Sequence, residues 1–128
     1  MSSQMGKITA KHFSESEFKR CTPPCSLQDM KQDFMNRLDT VRDVAGIPLV
    51  INCAYRSREY DLAKGRSGNS AHTKGMAVDI RCTTSVNAFK IVQAALKVGF
   101  TRIGIGKTFI HLDSDTSLPQ NVIWNYYE

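Results

Sequence analysis

The chain has 128 residues, 41% hydrophobic and 23% charged, with a formal net charge of +5; that length suits one domain with one core. No segment approaches the ~20 apolar residues of a membrane helix, so no membrane insertion is expected. The basic residues are scattered, without zinc-finger Cys/His pairs or basic-region heptads, so no nucleic-acid partner is expected, although the charge favours approach to polyanions.

Residues 1–10 read as a loose leader ahead of a single domain over 11–128. Met1 to Lys11 lacks the apolar run of a secretory signal, so the chain is expected to be cytoplasmic when made. Ser14 and Glu17 have capping-box spacing, and Phe13 and Phe18 are placed as a hydrophobic staple, which predicts a short helical turn. Ser26 with Asp29 forms a second such cap. Leu27, Met30, Phe34, Leu38, Val41 and Ala45 then step by three and four, which predicts one helix from Ser26 to the stop at Gly46.

Pro48 to Ala54 is apolar and β-branched and reads as a buried strand. Ser57 to Lys64 reads as a short helix closed by Gly65, followed by a Gly/Ser/Asn loop over Arg66 to Ser70. Met76 to Arg81 reads as a second strand. Ser85 is the expected cap of a helix with Val86, Phe89, Val92 and Leu96 on its apolar face, ending at Gly99. Phe100 to Ile105 and Thr108 to Asp113 read as a hairpin turning at Gly106-Lys107. The tail, with Trp124, Tyr126 and Tyr127, is expected to pack back on the body. The order predicts an α+β domain with a small, mainly antiparallel sheet flanked by helices.

The cysteines are Cys21, Cys25, Cys53 and Cys82. Without an export signal, free thiols with a structural role are expected. Cys21 and Cys25 flank Thr22-Pro23-Pro24, a turn that suits either a local disulfide or half of a metal site, but no further ligands stand nearby.

Two of the three histidines sit beside carboxylates. In Ser70-Ala71-His72-Thr73-Lys74-Gly75-Met76-Ala77-Val78-Asp79, His72 ends the loop and Asp79 lies on the following strand. Ala77 and Asp79 share a sheet face, and Gly75 lets the chain turn back so that His72 and Asp79 meet. In Phe109-Ile110-His111-Leu112-Asp113, His111 and Asp113 share a face with Phe109, while Ile110 and Leu112 face the core. A His and an Asp on an otherwise apolar strand are costly unless partnered. A metal is one such partner; an ordinary hydrogen-bonded histidine is the alternative. Three protein ligands plus water would make the open shell of a catalytic zinc. His12 is expected only to fix the N-terminal turn.

The pattern Ser70-x-His72-x-x-Gly75-x-Ala77-x-Asp79 with the later His111 resembles the zinc D-alanyl-D-alanine carboxypeptidases of peptidase family M15. Ala54-Tyr55-Arg56-Ser57, His12-Phe13, Glu17-Phe18 and Ile110-His111-Leu112-Asp113 extend the likeness, which runs from about His12 to Trp124 and is greatest to the short, single-domain phage, prophage and bacterial subgroup. The resemblance implies the fold shared with hedgehog signalling domains and one zinc ion held by His72, Asp79 and His111. It implies a hydrolase cutting a peptide bond in peptidoglycan after release or export, as a monomer. It implies that Arg56 binds a substrate carboxylate or polarises the scissile carbonyl, with Tyr55 and Ser70 beside the substrate.

One position departs from the pattern. Many members carry a Glu three residues before the last His; here it is Thr108. Asp113 is the nearest replacement as general base; otherwise it orients a ligand or Arg56 from behind. The missing Glu also leaves open a non-catalytic zinc-binding module that binds cell wall or a protein partner.

Overall fold

The computed structural model describes residues 7–126. The leader's first six residues and Tyr127 lie outside that range. Residues 7–10 are pinned rather than loose. Ile8 and Thr9 donate their N–H groups to Gln28 Oε1 (2.8 Å) and Gln32 Oε1 (2.9 Å), and Ile8 and Ala10 pack on the core.

Helix α1 spans Glu15–Lys19. Its start follows the sequence pattern: the Glu17 carboxylate accepts the Ser14 N–H at 2.8 Å, and Phe13 and Phe18 are both buried. The single helix expected from Ser26 is two elements. The Ser26/Asp29 box closes only a 3-10 turn, Leu27–Asp29. Met30 is then extended, and α2 runs from Gln32 to Ala45. The break has a partner across the molecule: Lys31 N–H donates to Gly75 O at 2.9 Å. Gly75 has φ +72°, and a Cβ there would lie 2.3 Å from Asp29 O, so the position needs glycine on two counts. Thus the interruption of one predicted helix seats the segment that carries His72.

β1 is Ile51–Cys53, shorter than the apolar run Pro48 to Ala54 suggested. α3 is Arg58–Ala63, capped by Ser57 Oγ, which accepts Tyr60 N–H at 3.0 Å. A 3-10 turn, Ala71–Lys74, replaces the expected loop end and buries His72. β2 is Ala77–Arg81 and α4 is Ser85–Val98. Thr84, not Ser85, caps α4, accepting Asn87 N–H at 3.1 Å. β3 is Arg102–Ile105 and β4 is Phe109–Asp113. Gly106 N–H donates to Phe109 O, so the hairpin tip is Lys107-Thr108, one residue beyond the expected turn. The tail forms a strand of its own, β5, Val122–Asn125.

The sheet order is β1-β2-β4-β3-β5, antiparallel except for the β3–β5 pair. Val78, Ile80, Ile103, Ile110 and Leu112 form one apolar face, joined in the core by Phe34, Leu38 and Val41 of α2. α4 corrects the sequence expectation most sharply. It buries Ile91, Ala94 and Ala95, while Val86, Phe89 and Leu96 are 62%, 66% and 53% exposed. Small side chains let α4 approach α2 closely, and that contact decided the orientation over the larger residues.

Candidate metal centre and its cleft

The other sheet face carries polar chemistry. Cys53 pairs with Asp79, Asp79 with His111, His111 with Gly104, and Gly104 with Trp124. One row of neighbours therefore crosses all five strands. Ala77 and Asp113 pair in the next row. Above these rows opens a cleft of about 220 Å³, lined by Arg56, Ser70, His72, Asp79, Arg102, His111, Asp113 and Trp124 among others.

His72 reaches this row from the 3-10 turn. Its Nδ1 lies 2.6 Å from Ala54 O, to which only an Nδ1–H can donate, and its Nε2 lies 3.5 Å from Asp79 Oδ1. His111 Nδ1 donates to the same Asp79 Oδ1 at 2.9 Å, and its Nε2 donates to Asp113 Oδ2 at 2.7 Å. The imidazolium form of His111 satisfies both carboxylates at once. The two imidazole rings are 5.2 Å apart.

The electrostatics follow from this packing. Burial works against charge on His72, but Asp79 and Cys53 together outweigh it and raise the pKa above 6.5. Burial likewise works to lower that of His111, and Asp113 and Asp79 raise it. Burial would raise Asp79, yet the hydrogen bonds from His111 and His72 hold it well below the usual carboxylate range. Asp113 is lowered too: burial opposes this, and the His111 hydrogen bond prevails.

Two donor sets share His72 and Asp79. Cys53 Sγ is 3.8 Å from His72 Nδ1 and completes one set, with the ligand atoms within 4.8 Å of one another. His111, whose Nδ1 is 2.9 Å from the same Asp79 oxygen, is the alternative third donor. His72 Nδ1 is committed to the Ala54 carbonyl, which leaves Nε2, on the Asp79 side, for a ligand. Cys53 sits at the committed edge. The donor types of the His72, Asp79 and His111 set suit zinc, and each histidine has its second nitrogen tied to an oxygen, the arrangement that orients metal-binding imidazoles.

Asp113 is 1% exposed and fully engaged. Oδ2 faces His111, while Oδ1 accepts Arg102 Nε–H at 2.8 Å and the Asp115 N–H at 3.1 Å. Arg102 also donates to Pro119 O at 2.6 Å and stacks over Trp124 at 4.9 Å. Thr108 is exposed at the hairpin tip. These contacts hydrogen-bond both Asp113 oxygens and fit the orienting role, one of the two expected for it.

Arg56 lies in the cleft wall. Its Nε is 3.3 Å from Asp61 Oδ1 without hydrogen-bond alignment. Among the described residues, none accepts from its terminal nitrogens. Asp61, fully buried, also accepts Ser70 Oγ–H at 3.1 Å and Gly68 N–H at 2.9 Å. Ser70 thus lines the cleft with its hydroxyl turned to Asp61. Tyr55 is half-buried and packs against the core rather than lining the cleft. His12 is remote, bonding Asp43 Oδ1 at 2.6 Å as the turn-fixing reading requires.

Sequence reasoning missed Asp61, Arg102, Cys53 and the Ala54 carbonyl. Gly104 was a usable signal, because a glycine inside a strand marks a close approach. A Cβ there would lie 2.9 Å from the Trp124 ring and 2.8 Å from that of Tyr126.

An α+β domain with a donor-rich cleft on the open face of a mainly antiparallel sheet is the class that fold and site define. The family model described as Peptidase M15 matches residues 10–113, and the chain belongs to that family. Among solved structures, the crystal structure of Serratia marcescens L-Ala D-Glu endopeptidase ChiX is similar, with a TM-score of 0.53 and 16% identity. The match covers 86% of this chain and 92% of that one. The likeness establishes the shared fold. No curated protein matches the sequence.

Proposed function

We propose that this protein is a zinc-dependent peptidase that hydrolyses a peptide bond in bacterial peptidoglycan. The observation that carries the reading is the convergence of His72 Nε2, His111 Nδ1 and Asp79 Oδ1, with the opposite nitrogen of each ring held by Ala54 O or Asp113. Membership of the M15 family supports it. The likeness to the Serratia L-Ala D-Glu endopeptidase favours an endopeptidase over a D-Ala-D-Ala carboxypeptidase. The net charge of +5 aids approach to an anionic wall.

A bound zinc supplies Lewis-acid polarisation of the scissile carbonyl and a water whose pKa is brought to about 7. The chain's own groups do the rest. His72, Asp79 and His111 hold the ion. Asp113, clamped by Arg102, keeps the His111 ring in the orientation that presents Nδ1. Arg56, in an ion pair with Asp61, offers its terminal nitrogens to a substrate carboxylate or carbonyl as a planar fork.

A second reading has its own observation. Thr108 is no base and both Asp113 oxygens are engaged, which favours a zinc-holding module that binds wall or a protein partner without cutting it. One experiment separates the two: mass spectrometry of fragments released from purified peptidoglycan, with and without a chelator. Chelator-sensitive release of new peptide ends supports the peptidase. Zinc-loaded protein that binds the wall and releases nothing supports the module.

A further inference from the structure

Cys21 N–H and Cys25 N–H both donate to one acceptor, Phe18 O, at 3.2 and 3.0 Å. Sharing one acceptor holds the two backbone nitrogens close together. Their thiols are close enough to act on each other's ionisation, and Cys21 Sγ also lies 3.4 Å from Glu17 O. Cys25 is half-buried and Cys21 buried.

We infer that Cys21 and Cys25 form a reversible intramolecular disulfide by exchange with a small-molecule disulfide. The Cys25 thiolate attacks one sulfur of the small disulfide, forming a mixed disulfide and expelling one small thiolate. Cys21 gives up its proton to that thiolate and attacks the Cys25 sulfur, expelling the second small thiolate, which takes a proton from solvent. The net change is protein dithiol plus small disulfide to protein disulfide plus two small thiols.

The order of attack follows from the surroundings. The neighbouring Cys21 thiol, with help from the Tyr55 backbone, outweighs burial and lowers the Cys25 pKa, which favours its thiolate. Cys21 is pushed up by the same neighbour and by burial. Cys53 and Cys82 are buried on other elements, Cys53 beside His72 and Cys82 against Thr84 O at 3.5 Å.

The pair also sits where it touches the site's scaffold. Cys21 Sγ–H contacts Ile51 O at 3.7 Å, and Thr22 N–H donates to Asn52 O. Both acceptors lie on β1, which leads into the Ala54 carbonyl that holds His72. The disulfide therefore closes a staple at the base of β1, independently of whether the cleft hydrolyses anything.

The test treats the reduced full-length chain with oxidised glutathione under native conditions, then alkylates and maps it by mass spectrometry. Free thiols should fall from four to two, with Cys21 and Cys25 in one linked peptide. Cys21→Ser should instead trap one glutathione at Cys25, at least tenfold faster than any adduct on Cys53 or Cys82. Cys25→Ser should leave Cys21 reduced. Near-native circular dichroism keeps both variants interpretable. Four thiols persisting in the wild type, or linkage through Cys53 or Cys82, would overturn the inference, as would a Cys21→Ser chain that takes up no glutathione at Cys25.

Discussion

On β4, Ile110 and Leu112 look into the core while His111 and Asp113 look into the cleft, and the two pairs are held in unlike ways. The apolar pair is fixed by close packing against Val78, Ile80 and Ile103, a non-directional hold that tolerates exchange of one hydrocarbon for another of similar volume. The polar pair is fixed by single hydrogen bonds at 2.7 to 2.9 Å, each with one acceptor in one direction. The difference predicts that mutations on one face change stability with little change at the site, while mutations on the other change the site with less change in stability.

The largest effect expected is at the polar face. His111→Ala removes a ligand and uncovers two carboxylates, so bound zinc and hydrolysis should both fall to background, as read by metal analysis and fragment release. A variant with a full complement of zinc at this site would rule His111 out as a ligand. Ile110→Ala should lose about 2–5 kcal/mol in denaturant unfolding while retaining one zinc per chain; a change in zinc stoichiometry would break the division between the faces. Asp113→Asn should keep the fold but weaken zinc affinity by about 10–100-fold. A loss of activity with unchanged zinc binding would instead return Asp113 to the role of base.

The pKa directions set a smaller, graded effect. His72 and His111 bind protons above 6.5 in the metal-free chain. Zinc must displace those protons, so its affinity should fall as pH drops through that region, by up to about tenfold per unit for each proton released. In the absence of metal the sign reverses: the raised histidines contribute stability below pH 6.5, and it is lost as pH rises through their folded values. Titration calorimetry and thermal melts at several pH values read the two opposed slopes. Smallest of all, Phe89→Ser on the exposed side of α4 should move stability by no more than about 0.5 kcal/mol.

The polar face was legible because a strand alternates with period two. Phe109-Ile110-His111-Leu112-Asp113 announces which side each residue takes, and the glycine and alanine between His72 and Asp79 announce the turn and the space. The face of α4 was not legible. Its large apolar residues make a convincing stripe, but helix packing rewards closeness, and Ala94 and Ala95 offered α2 the nearer approach. The helix from Ser26 failed for a related reason: its periodic residues do continue in phase, but a backbone hydrogen bond to Gly75, invisible in the local pattern, interrupts it. Arg102, Asp61 and Trp124 join the site through register and topology, and a parallel β5 leaves no local mark on the chain.

The row Cys53–Asp79–His111–Gly104–Trp124 has a consequence for how the molecule assembles. Asp79 and His111 are 32 residues apart in sequence. Each member of the row arrives on a different strand, and closing such long loops is the slow part of folding. The donors consequently meet late, when the sheet is nearly complete. A metal ion held there would act as a latch on the finished sheet, adding about 2.7 kcal/mol at a hundredfold excess over its dissociation constant. Removing it should loosen β1 and β5 together, although they lie at opposite edges of the sheet.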